Sequence, residues 1–185
     1  ALRGQGRAWE AYKHYDDYLS TTANLDPRGR DHLAVELRRD AYSLGLSAYR
    51  SGRYHDAIGY FNRALKVSGE AALGEKSLFW LAESYAGAGR EDAALRAYNR
   101  TLSNAAAAYD QPALIKKGIL LEKRGRLEEA GAAFQRALDD YPDGAYTTRA
   151  REWRDEVREQ LRQKAIFEQA ETEALLAPES GPEAE

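Results

Sequence analysis

The sequence predicts an all-α chain built as a stack of antiparallel helix pairs. Three observations carry this. One pattern is written three times between Ala41 and Pro142, with marker glycines at 52, 89 and 125. Its period, 37 and then 36 residues, lies in the range that marks stacks of like units. Apolar residues recur at spacings of three and four, and no segment sustains the period-two alternation of a half-buried strand.

Taken in order, Ala8, Ala11, Tyr12, Tyr15, Tyr18 and Leu19 predict an amphipathic helix from Arg7 to about Ser20. Asp26-Pro27 then supplies a capping residue and a first-turn proline, so a long helix is expected to Arg50. Ser51-Gly52 ends it, because glycine accepts the left-handed conformation that closes helices. Helices follow over about 54–67, 73–87 and 91–103, with a stop at Ser68-Gly69 and a turn at Gly87-Ala88-Gly89. Residues 104–111 read as a small-residue connector. Helices over 112–123 and 126–140 turn at Gly125, and Tyr141-Pro142-Asp143-Gly144 breaks the chain. A last helix is expected over 145–175, with Tyr146, Ala150, Trp153, Val157, Leu161, Ala165 and Ala170 as its stripe. The Pro-, Gly- and Glu-rich segment from Ala177 to Glu185 is expected to be a disordered acidic tail.

Composition narrows the function. The 185 residues are 43% hydrophobic and 31% charged, which suits one domain or one continuous stack. There is no cysteine, so disulfides and thiolate metal sites are excluded. There is no methionine, even at position 1; the chain is expected to begin after processing or at an artificial boundary, with any export signal removed. The net charge of -3 argues against a nucleic-acid or anionic-membrane surface. No apolar run approaches the ~20 residues of a membrane-spanning helix.

The repeated residues resemble the tetratricopeptide repeat. They are Leu44-Gly45, Ala48-Tyr49, Gly52, Tyr54, Ala57, Phe61 and Ala64, then Leu81-Ala82, Tyr85, Gly89, Ala94 and Tyr98, then Gly118, Leu121, Gly125, Leu127, Ala130, Phe134, Ala137 and Pro142. Gly6, Ala11, Tyr15 and Leu19 resemble half of an earlier repeat. Two positions depart from the pattern: Glu91 stands for an aromatic or Leu, and Thr101 for Ala. The implied organisation is a partial repeat at 1–24, repeats at 25–69, 70–105 and 106–142, a capping helix at 143–176 and the tail at 177–185. The phrases from Leu78 to Tyr85 and from Phe134 to Glu152 are similar to bacterial cell-envelope repeat proteins, of the Tol–Pal coordinator and outer-membrane assembly lipoprotein type. That resemblance implies a periplasmic protein, attached to a membrane through a removed N-terminal segment or free of it; a cytoplasmic location is the alternative.

No catalytic constellation emerges. His14, His32 and His55 are far apart and share no helix face, so three or four converging ligands are not on offer. Gly4-Gln5-Gly6 and Gly87-Ala88-Gly89 lack the strand and the further Gly or Lys of a phosphate loop. Asp16-Asp17, Glu128-Glu129 and Asp139-Asp140 read as solvated faces, since catalytic carboxylates converge across a cleft. Neither enzyme, metal nor cofactor is expected.

The family resemblance implies a right-handed solenoid whose concave face is lined by the first helix of each repeat and holds peptides or partner helices. The candidate contact residues are then Tyr42, Leu46, Tyr49 and Arg50, then Phe79, Glu83 and Ala86, then Ile115, Ile119, Glu122 and Lys123. The competing reading makes Tyr42, Phe79 and Ile115 core residues between the helices. The expected partner is a protein, not a nucleic acid or a lipid bilayer. In the last helix, Ile166, Phe167, Leu175 and Leu176 have little to pack against and are candidates for self-association into a homo-oligomer.

Overall fold

The computed structural model describes residue 17 and residues 27–66, 71–104 and 106–176. Among them lie seven α-helices and no strand. They are α1 (Pro27–Arg50), α2 (Tyr54–Lys66), α3 (Ala71–Gly87), α4 (Glu91–Leu102), α5 (Asp110–Lys123), α6 (Leu127–Asp140) and α7 (Thr147–Leu176). The expected half repeat at Gly6 to Leu19 (Asp17 apart, which is helical and exposed), the stop at Ser68-Gly69 and the acidic tail lie outside the described residues. Helix α5 begins at Asp110, inside the stretch expected to be a connector.

Each helix pair closes in the same way. Gly52, Gly89 and Gly125 have φ of 71°, 72° and 70°, the left-handed region that costs a side-chain-bearing residue about 1–2 kcal/mol. The following amides of Arg53, Arg90 and Arg126 donate back five residues to the carbonyls of Ala48, Tyr85 and Leu121 at 2.8–2.9 Å. This is the six-to-one bond of a Schellman closure, which satisfies carbonyls the helix end would leave bare. The three marker glycines are therefore three copies of one turn.

Within each pair the first helix rides on an aromatic of the second. A Cβ at Gly45 would lie 2.6 Å from Phe61, and one at Gly118 would lie 2.5 Å from Phe134. Ala82 takes the same place in the middle pair, in one core with Tyr98. The three aromatics are fully or almost fully buried. Burying each stabilises the stack by roughly 1.5–3 kcal/mol.

Between pairs, the contacts vary. Tyr54 packs so closely on Gly87 that a Cβ there would meet its ring at 2.6 Å. The matching junction one repeat later is ionic: Glu91 meets Lys123 at 3.0 Å and Arg124 at 3.7 Å, and Asp92 pairs with Arg124 as well. Acidic residues at the start of α4 thus face basic residues at the end of α5, the orientation both helix dipoles favour. That explains why Glu91 departs from the pattern. Thr101, the other departure, is fully buried and donates its hydroxyl to the Ala97 carbonyl at 3.1 Å, so its extra polar atom is satisfied.

A second repeating feature is polar. Arg38, Glu75, Gln111 and Thr147 occupy one repeat position, at steps of 37, 36 and 36, and all four are buried. The Arg38 guanidinium lies beside Gly74, where a Cβ would meet it at 2.6 Å. The Glu75 carboxylate accepts the Tyr109 amide at 2.6 Å. Gln111 accepts the Tyr146 amide and donates to the Tyr141 carbonyl, both at 3.4 Å. Three of these side chains therefore reach from one repeat into the next, and Thr147 closes the series by donating to Tyr141 at 3.0 Å.

Helix α7 opens as a fourth first helix and then departs. Ala150 and Val157 are fully buried, and Trp153 stacks on Phe134 with centroids 5.8 Å apart. Arg154 stands where Gly45, Ala82 and Gly118 stood; with no eighth helix described to approach it, a small residue is not needed. Every residue from Arg162 to Leu176 is exposed. At 3.6 residues per turn, Ile166 lies two and a half turns past Val157, on the opposite face, whereas Leu175 lies five full turns past it. The apolar residues of this half are thus divided between two faces, and Leu175, though in line with the stripe, is exposed.

A Gly118→Ala substitution is expected to destabilise the protein by about 1–3 kcal/mol through forced repacking at Phe134. The check is a urea midpoint, with Phe134→Leu added to recover part of the loss. Wild-type stability of Gly118→Ala would show that this approach is not limiting.

Candidate functional site

The first helices α1, α3 and α5 lie side by side and build one face. Its centre is a chain of aromatic contacts that runs from the first repeat across the second to the start of the third. Tyr49 meets Trp80 edge-on at 5.0 Å and Tyr54 at 5.6 Å. Trp80 meets Phe79 at 5.4 Å, and Phe79 meets Tyr109 at 5.0 Å. Tyr42 lies 6.0 Å from Phe61. Such edge-to-face pairs contribute beyond their buried area and hold the rings in fixed poses.

Glu83 sits under this face. Its carboxylate is buried, a placement that is costly unless both oxygens are satisfied. One oxygen accepts the Tyr98 hydroxyl. The other accepts the Tyr49 hydroxyl at 3.4 Å and pairs with the Lys116 ammonium at 3.3 Å. The partners come from α1, α4 and α5, so one carboxylate ties all three repeats together. Burial first, and then the Glu83 charge, push the Tyr49 hydroxyl up to about 12 and raise Tyr98 for the same two reasons.

The residues nominated from sequence divide into three groups. Tyr42, Leu46, Tyr49 and Ile119 are half-buried on the first-helix face, and Arg50 is exposed at its rim. Phe79, Ile115 and Glu83 are corrected: at 6%, 2% and 8% exposure they are core, not surface. The rings and side chains of Phe79 and Ile115 fill the space between helix pairs, and Glu83 is committed to its hydroxyls. Glu122 and Lys123 are engaged within the chain, Glu122 by Gln160 of α7 at 2.8 Å and Lys123 by Glu91. Ile166, Phe167, Leu175 and Leu176 are 56–81% exposed.

Three residues of this face were not among the candidates: Trp80, Tyr109 and Lys116. Trp80 and Lys116 share a repeat position with Ser43, at steps of 37 and 36, directly after the Tyr42, Phe79 and Ile115 series. Extending the aligned columns by one place would have found them. Tyr109 precedes α5, in the stretch expected to be a connector, and no periodic signal marks it. Among the described residues no group of His, Cys, Asp or Glu is arranged to hold a metal, and no helix is long and apolar enough to cross a membrane.

Comparison with known proteins agrees with the repeat. The tetratricopeptide repeat family profile matches residues 42–111 and 101–145, together more than half of the chain. A photosystem I assembly protein, Ycf3, of Prochlorococcus marinus (strain MIT 9303) is 34% identical over 106 residues, covering 53% of this chain and 60% of the relative. The chain thus spans less than two thirds of that relative's length. Among solved structures, the Yersinia enterocolitica type III secretion chaperone SycD, bound to a peptide of the translocator YopD, superposes with a TM-score of 0.57 at 18% identity, covering 66% of this chain and 92% of SycD. The Arabidopsis OM64 repeat domain gives 0.56 at 19% identity, over 69% of this chain and 98% of that domain. At these identities the structural likeness establishes the fold.

The Tyr49 shift sets an alkaline limit on stability. A hydroxyl whose folded value is raised stabilises the fold fully below the unfolded value and loses that contribution as pH climbs through the folded one. Stability should therefore fall between about pH 10 and 12, read from denaturation midpoints. Glu83→Gln removes the neighbouring charge and should shift Tyr49 titration to lower pH. Superimposable pH profiles for the two proteins would mean the carboxylate is not the coupled charge.

Proposed function

The chain belongs to the tetratricopeptide repeat family, and from that premise we propose that it is a non-catalytic scaffold whose first-helix face takes a helix or an extended apolar segment of a partner protein. Proteins of this kind mediate protein–protein interaction. The observation that carries the reading is the half-buried strip of Tyr42, Leu46, Tyr49, Trp80 and Ile119, with the Lys116 ammonium at its middle. Rigid aromatic anchors beside a few fixed polar groups are what an apolar helix or strand needs in order to dock. The names of the relatives favour an assembly or chaperone role: one is a photosystem I assembly protein, and a structural neighbour holds a translocator peptide. A transient hold on a subunit awaiting assembly fits a groove without catalytic groups. The cell-envelope setting and the periplasmic location, with the cytoplasm as alternative, rest on the sequence phrases around Leu78–Tyr85 and Tyr141–Asp143 alone.

Leu46→Glu combined with Ile119→Glu should abolish partner capture, scored by cross-linking and mass spectrometry against wild type. The helical circular dichroism should be unchanged, because both side chains are already partly in water. Capture that survives both charges would place the partner elsewhere.

A second reading is favoured by α7. Ile166 and Phe167, 56% and 70% exposed in the half of α7 that is exposed throughout, suit a contact with a second copy of the chain. Light scattering tests it: a dimer that becomes a monomer on Ile166→Glu with Phe167→Glu supports self-association, and a monomeric wild type at high concentration sinks it.

A further inference from the structure

We propose that a charged cleft on the outer side of the stack, between the second and third repeats, is a carboxylate-binding site for an acidic segment of a partner protein. The cleft has a volume of about 250 Å³ and is lined by Asp92, Arg96 and Asn99 of α4, Lys117 of α5, and Arg126 and Glu129 at the start of α6. It is separate from the first-helix face and does not rest on the function proposed for that face.

The repeat itself shows that this cleft is specialised. Lys117 occupies the column of Leu44 and Leu81, and Leu81 is 1% exposed. The places of Asp92, Arg96 and Glu129 are taken one repeat earlier by His55, Gly59 and Ala93. Arg90, in the column of Arg126, spends its guanidinium over the Tyr85 ring at 4.9 Å. The earlier junction therefore places a buried leucine where the later one places a lysine, and lacks the carboxylates and the Arg96 guanidinium that line the later one. Apolar packing would fill the column at lower cost, since a half-buried ammonium loses hydration.

The charges in the cleft are unevenly matched. Glu129 is gripped by Arg126 through two bonds of 2.6 and 2.7 Å, and Asp92 is held by Arg124. Among the described residues, neither Arg96 nor Lys117 has a carboxylate within ion-pair distance. Burial, and then the neighbouring Arg136 and Arg126, pull the Lys117 ammonium below the usual lysine value, against the opposing pull of Glu129. An incoming carboxylate would supply the missing negative charge between Arg96 and Lys117, with Asn99 as a further donor. Charge-assisted hydrogen bonds from two cations make such a contact stronger than a neutral one.

The test uses a short all-glutamate peptide, acetylated and amidated, titrated at low salt and followed by NMR. Saturable shifts confined to the cleft residues are expected, together with a rise in the Lys117 pKa read from its ε-methylene signal. Lys117→Leu restores the residue of the other two repeats and should keep the denaturation midpoint while weakening the peptide about tenfold. Lys117→Arg should preserve binding. The Leu46→Glu, Ile119→Glu protein should bind the peptide as wild type does, so failure here and failure of the groove are distinguishable. Binding that is indifferent to Lys117→Leu overturns the proposal, as does inorganic phosphate binding the cleft where the peptide does not.

Discussion

The stack depends on how closely two helices approach where one has an aromatic ring and the other has almost no side chain. At Gly45 and Gly118 there is no room for a methyl group against Phe61 and Phe134. That contact sets the separation within a pair and buries the largest apolar side chains of the core. Because the ring comes from the second helix, it also faces the following repeat: Trp153 of α7 stacks on Phe134. One contact thus fixes the pair and presents the surface on which the next unit is laid.

Much of this was legible in the sequence. The turn glycines and the apolar columns report on local geometry, and local geometry repeats because each repeat solves the same packing problem. Helix ends therefore fell within a few residues of expectation. What was not legible depends on partners from elsewhere in the chain. Glu83 reads as a groove charge until Tyr49, Tyr98 and Lys116 are seen around it. Phe79 and Ile115 share a column with Tyr42, yet they are core while Tyr42 keeps one edge open. Columns identify which residues are equivalent in the fold, but the depth of each depends on what its neighbouring repeat supplies.

The two faces of the stack use charge differently. On the first-helix side a carboxylate is buried and fully satisfied, so it acts as a joint and leaves an apolar strip open above it. On the outer side two cations are only partly satisfied, and the polar groups are the open surface. In both places a charged residue in an otherwise apolar column of this chain, Glu83 with Leu46 and Ile119, and Lys117 with Leu44 and Leu81, marks a place where the repeat does more than pack.

The buried polar column at the head of the repeats carries a grammar of order. Glu75 offers an acceptor to the Tyr109 amide, whereas Arg38, one repeat earlier, has only donors to offer. Excising the middle unit would bring Arg38 to Asp110, which holds the column of Gly74, and duplicating or shuffling units would likewise change the partner each polar group meets. These repeats are therefore not interchangeable cassettes. Each is fitted to its own successor by the polar groups it gives and receives.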